Sequence, residues 1–140
     1  MIGSRIILVG LLIAGGFWLM QKELAGQQIH VPYTPADSGK KMFKAYCASC
    51  HGVSGTGNGP TATTLRKRPT DLTQLAKGNH GVFPTEEVSR VIENGTIAAH
   101  GSSEMPVWGP ELSRLSGHDI DIQLLRVHNL VSYIGTLQKH

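Results

Sequence analysis

Hydrophobic and polar positions divide the chain into three regions. The first is an uncharged, largely apolar run from Ile6 to Gln21, preceded by Arg5 and closed by Lys22 and Glu23. Its length lies near both a secretory apolar core and a membrane-spanning helix, so length alone leaves both readings open. Small residues at A-x-A spacing are missing, because Glu23 and Leu24 stand two positions before Ala25 and Gly26. That favours an uncleaved signal-anchor over 1–22, with Trp18 and Lys22 at the membrane interface, against a signal peptide that is removed. Arg5 and the terminal amine on one side, against the balanced Lys22 and Glu23 on the other, keep the N-terminus inside and export the remainder. The second region, 23–36, is polar, carries Pro32 and Pro35, and reads as an extended tether.

The third region, 37–140, has helical periods. In "SGKKMFKAYCASC", Met42, Phe43, Tyr46 and Cys47 share one side of a helix. "TEEVSRVIEN" predicts a second helix, with Thr85 as N-cap after Pro84, Glu86 and Glu87 in its first turn and Gly95 just past its end. The last helix is the strongest. "SGHDIDIQLLRVHNLVSYIGTLQ" opens with a Ser116/Asp119 pair resembling a capping box. Ile120, Leu124, Val127, Val131 and Ile134 then form one stripe, widened by Leu130 and Leu137. From Gly52 to Pro84 the pattern offers at most a short helical turn around "LTQLAK". A loop of that length inside a domain implies a ligand that organises it. No alternation of period two and no internal repeat is present, so the domain is all-α.

Composition sharpens this picture. Aromatic residues make up 6% of the chain and glycines number 17, so the core has few large side chains and room for something else in its middle. A formal charge of +3, without arginine and lysine interleaved with aromatics, excludes a dedicated nucleic-acid binder and fits an acidic protein partner better.

Both cysteines lie in "AYCASCHGVSGTGNGP" as Cys47 and Cys50, with His51 directly behind. A disulfide oxidoreductase would place such a pair beside a βαβ pattern, which is missing here. Structural zinc needs four ligands, and no second cysteine pair exists. Covalent haem attachment fits: two thiols add to the porphyrin vinyl groups, and the adjacent histidine supplies a nitrogen to iron.

With "CASCH" and "MPVWG" as specific motifs, residues 37 to 138 resemble the monohaem class I cytochromes c, of the membrane-anchored bacterial type. The resemblance implies the cytochrome c fold, with three main helices and loops around one haem c held by Cys47 and Cys50. It also implies that the first and last helices cross near Gly39/Phe43 and Leu130/Tyr133. His51 is then one axial ligand. For the other, Met1 and Met20 belong to the N-terminal segment and Met42 precedes Cys47 on the same helix, which leaves Met105, stiffened by Pro106. His100 is its rival in the same segment. Again by resemblance, the carbonyl of Pro60 accepts from Nδ1 of His51, and the Trp108 indole covers the pocket or bonds a propionate. Arg66 and Arg68 read as a solvated cluster. His30, His80, His118, His128 and His140 receive no role.

The implied function is one-electron transfer in a bacterial respiratory or related chain, with the haem domain on the outer side of the inner membrane. Its partners are redox proteins, including a membrane-embedded oxidoreductase complex. It is a carrier or haem subunit rather than an enzyme. The alternative is a peroxidase-like haem enzyme or sensor, which requires a labile methionine.

Overall fold

The computed structural model describes residues 31–95 and 105–139. The apolar run expected to anchor the chain lies outside the described residues, as do His30, His100 and His140. Among the described residues no helix is long and apolar enough to cross a membrane, and no strand is present.

The helix expected before the cysteines forms in three joined pieces. Helix α1 (Gly39–Met42) begins where the Ser38 side chain accepts from the Lys41 N–H, then widens through a π-helical turn (Phe43–Cys47) into α2 (Ala48–His51). In the widened turn the Ala48 N–H bonds the carbonyl of Phe43, five residues back. Short 3-10 turns follow at Ala62–Thr64 and Leu72–Gln74, then α3 (Leu75–Gly78) and α4 (Thr85–Asn94). Thr85, expected to cap α4, lies inside it. Pro84 stands at the cap without a side-chain bond.

The greatest departure from the expected pattern lies at the C-terminal end. The helix expected from Ser116 onward is preceded by a separate helix α5 (Gly109–Leu115), with Pro110 in its first turn, where a missing N–H costs nothing. Ser116 closes α5 instead of opening the next helix. Gly117 and His118 both take positive φ, and Asp119 alone caps α6 (Ile120–Thr136), its carboxylate accepting from the Asp121 and Ile122 N–H groups.

Helix α6 is the spine, packed against α1, α4 and α5. Val127, Leu130, Val131 and Ile134 are buried as the stripe requires, but Ile120 and Leu124 remain 60% and 53% exposed. The stripe outruns the core, and the first turns of α6 project beyond it. A Cβ on Gly39 would collide with the Asn129 carbonyl, so α1 and α6 touch backbone to backbone. There the ring of Phe43 meets that of Tyr133 with centroids 5.3 Å apart. Met42, Phe43, Leu112 and Leu130 are sealed from water, each contributing about 1.5–3 kcal/mol by burial.

The last residues of the 23–36 segment lie on the domain, held there by the buried Arg126. Its Nη1 donates to the Thr34 carbonyl at 2.7 Å, Nε to the Ser116 hydroxyl at 3.1 Å and Nη2 to the Leu115 carbonyl at 3.2 Å. Tyr33 lies over its guanidinium, and Asn129 donates to the Ala36 carbonyl. With its hydrogen-bonding groups met in this way, the arginine sits at 1% exposure.

Candidate functional site

Cys47 and Cys50 lie one turn apart where the widened turn passes into α2, and both thiols are free. The Thr61 hydroxyl donates to the Ser49 carbonyl at 2.8 Å, so the Cys50 thiol, 3.2 Å away, is the donor in their contact. Burial, and secondarily the proximity of Cys50, pushes the Cys47 thiol up to about 12. The Cys47 sulfur is therefore held as a thiol, without the depressed pKa of a disulfide-exchange nucleophile.

His51 ends α2, and the glycine-rich loop returns over that end. The N–H groups of Gly52, Thr61, Gly59 and Gly57 bond the carbonyls of Ala48, Ser49, Cys50 and His51 at 2.9, 3.0, 3.1 and 2.8 Å. All four orphan acceptors of the helix end are thereby met by one loop. This is the local reason for its glycines: the backbone must lie directly on the backbone of α2. A Cβ on Gly59 would collide with the Ser49 carbonyl.

The imidazole is oriented by a main-chain carbonyl, as the resemblance implies, but the residue differs. Nδ1 of His51 lies 3.0 Å from the carbonyl oxygen of Thr70, and Pro60 is exposed. Because a carbonyl only accepts, the proton is on Nδ1 and the Nε2 lone pair is free. Burial lowers the His51 pKa, opposed by the Thr70 contact, so the ring is neutral at neutral pH. A neutral imidazole with Nε2 available, one residue after a pair of free thiols, fits a c-type haem. Among the described residues, no three histidine, cysteine or acidic side chains gather as a metal site of their own.

Met105 is partly buried, and Pro106 follows it into α5. Met42 is sealed in the core, where its sulfur accepts from Arg126 Nη1 at 3.7 Å, consistent with its elimination as a ligand. Trp108 caps α5, and its ring stacks on Tyr46, the residue before Cys47. Arg68 is exposed, as the solvated reading expects, and its guanidinium also donates to carbonyls of the glycine-rich loop. Lys40, Lys41 and Lys44 are exposed, as are His80, His118 and His128. Thr61, Thr70 and Tyr46 carry contacts at this site that were not expected of them. A main-chain acceptor such as the Thr70 carbonyl has no sequence signature.

Residues 34–122 match the model of a family described as cytochrome C oxidase, cbb3-type, subunit III. No curated protein and no solved structure gives a match to the chain.

Proposed function

The chain belongs to the cbb3-type subunit III family of cytochrome c domains and carries covalent c-type haem, and from that premise we propose that it transfers single electrons with His51 and Met105 as axial ligands. The bond between His51 Nδ1–H and the Thr70 carbonyl carries this reading, because it presents Nε2 as a neutral, oriented donor. Cys47 and Cys50 would hold the porphyrin as thioethers, and Met105 would supply a thioether sulfur to its iron. The haem, when bound, supplies an iron that changes oxidation state by one electron. The chain's own part would be to supply both ligands, His51 and Met105, and so exclude competing ligands from the iron. The glycine-rich loop wraps the helix end at His51, and Pro106 fixes its own φ and restricts its neighbour Met105.

The carrier works on the outer side of a bacterial inner membrane, tethered through 1–22, as a shuttle or as the haem subunit of an oxidoreductase complex. Acid-organic extraction of denatured protein is expected to leave the colour on the polypeptide. Oxidised protein is expected to show the weak red sulfur-to-iron charge-transfer band, lost in Met105→Ala. A band that survives Met105→Ala and disappears in His100→Ala overturns the assignment of Met105. Mass spectrometry of native protein tests the anchor: the initial segment is retained, and a native N-terminus near Ala25 to Gln27 overturns it.

A further inference from the structure

A closed ring of contacts begins and ends at His51. The Gly57 N–H donates to the His51 carbonyl at 2.8 Å. The Gly57 carbonyl accepts from Arg68 Nε at 3.2 Å, and the neighbouring Thr56 carbonyl from Arg68 Nη2 at 3.4 Å. Two residues beyond Arg68, the Thr70 carbonyl accepts from His51 Nδ1 at 3.0 Å and closes the ring. Beside it, the Leu72 N–H donates to the Gly55 carbonyl at 2.7 Å. Gly57 has φ +74°, and a Cβ there would collide with the Pro69 carbonyl, so the two segments lie backbone against backbone.

We propose that Arg68 is a positioning residue for His51: by clasping the carbonyls of Thr56 and Gly57 it fixes the Pro69–Thr70 segment, and with it the carbonyl that pins the imidazole. This rests on the reading of His51 as an iron ligand. The Thr70 carbonyl has no side chain to aim it, so its place follows from what holds the chain on either side. Leu72 anchors one side through its N–H, and Arg68 anchors the other through a planar fork whose two donors reach adjacent carbonyls. A guanidinium suits this task because it stays charged and its donors are fixed relative to one another. The stronger the hydrogen bond at Nδ1, the better the imidazole donates through Nε2 and the more firmly its ring plane is fixed.

The test uses full-length, reduced holoprotein and follows solvent exchange of the His51 Nδ1 proton by nuclear magnetic resonance. Arg68→Ala is expected to speed exchange about tenfold, equivalent to about 1.4 kcal/mol of lost restraint. Arg68→Lys keeps the charge without the fork and is expected to fall between Arg68→Ala and the unsubstituted protein. Asn129→Ala removes the remote bond to the Ala36 carbonyl and is expected to leave exchange unchanged. Unchanged exchange in Arg68→Ala overturns the positioning role, and so does equal acceleration in Asn129→Ala, which would indicate general loosening. His51 ring signals without the large shifts of a haem-bound imidazole in unsubstituted protein overturn the ligand reading itself, a failure separate from that of the clasp.

Discussion

The rings of Tyr46 and Trp108 stack with centroids 5.4 Å apart and planes 28° from parallel. Tyr46 directly precedes Cys47 on the haem-attachment helix, and Trp108 follows Met105 by three positions. The stack therefore ties the two segments assigned to opposite axial ligands. Each ring is also fixed from behind. The Tyr46 hydroxyl donates to the Pro32 carbonyl at 3.0 Å and accepts from the Thr34 hydroxyl at 2.6 Å, while the Trp108 N–H of the main chain bonds the Ile92 carbonyl at 3.0 Å.

With Met105 as the proposed ligand, Trp108→Ala is expected to weaken its hold, so that added imidazole would displace the methionine at lower concentration than in the unsubstituted protein. Trp108→Phe keeps a stacking partner and is expected to restore most of the resistance. Aromatic pairs contribute about 0.5–1.5 kcal/mol beyond area burial, so removing this one is expected to increase ligand exchange by about a factor of ten at most. A titration followed at the charge-transfer band measures it.

Gly39→Val tests the crossing of α1 and α6. The new side chain would meet the Asn129 carbonyl and lie against Tyr133, with no flexible neighbour able to yield. A loss of about 3 kcal/mol or more is expected, the upper part of the range for overpacking, because backbone must separate from backbone. Denaturant unfolding of the holoprotein measures it, and an unchanged midpoint would show that the helices part at little cost.

How much of this was legible in the sequence depended on where the information resides. The crossing near Gly39, Phe43, Leu130 and Tyr133 was legible through the resemblance, and the contact of Gly39 with the Asn129 carbonyl gives its physical reason: close approach demands a residue without a Cβ. The Cys47, Cys50 and His51 group was legible for the same kind of reason, as its chemistry requires those residue types in that order. Thr70 was invisible because its contribution is a carbonyl that every residue possesses. Arg126 was passed over since a charge on an amphipathic helix reads as its wet face, whereas here backbone carbonyls from distant segments satisfy it in the core. Ile120 and Leu124 misled in the opposite direction: periodicity says which side of a helix is apolar, and cannot say where the core beneath it stops. Helix α5 went unseen because seven residues opened by Gly109 and Pro110 are too few for a period to show.

Acid stability has an identifiable contributor in Asp71. Its carboxylate accepts from the Thr73 hydroxyl at 2.7 Å and the Thr73 N–H at 2.9 Å. The hydroxyl bond foremost holds the pKa below the ordinary carboxylate value; desolvation opposes it, and the Thr73 N–H and the charges of Lys139 and Arg68 add smaller lowering effects. A depressed folded-state pKa means that the unfolded chain binds the proton more readily. The contribution is thus complete above about pH 4, the unfolded value, and disappears as pH falls through the lower folded value. Asp71→Asn is expected to flatten the dependence of stability on pH in that acidic window. Denaturation midpoints compared between neutral pH and about pH 3 check it.

The last prediction concerns the exposed lysines on α1 and the widened turn that follows it. Lys40 and Lys44 are both exposed and stand four residues apart on the segment that leads into Cys47, so they present charge on the approach to the haem-attachment site. Charges in this setting act through solvent and contribute little to folding. Their effect is instead on encounter with an acidic redox partner, over a range of about 10 Å at 0.1 M salt. Substituting both with glutamate is expected to slow electron transfer to the physiological partner at low salt, while leaving the visible spectrum unchanged. The difference from the unsubstituted protein should shrink as salt is raised, since screening removes the attraction that the substitution reverses. A rate independent of salt, or one that rises with it, would rule out this face as the docking site and would favour an apolar contact or a fixed place inside a larger complex.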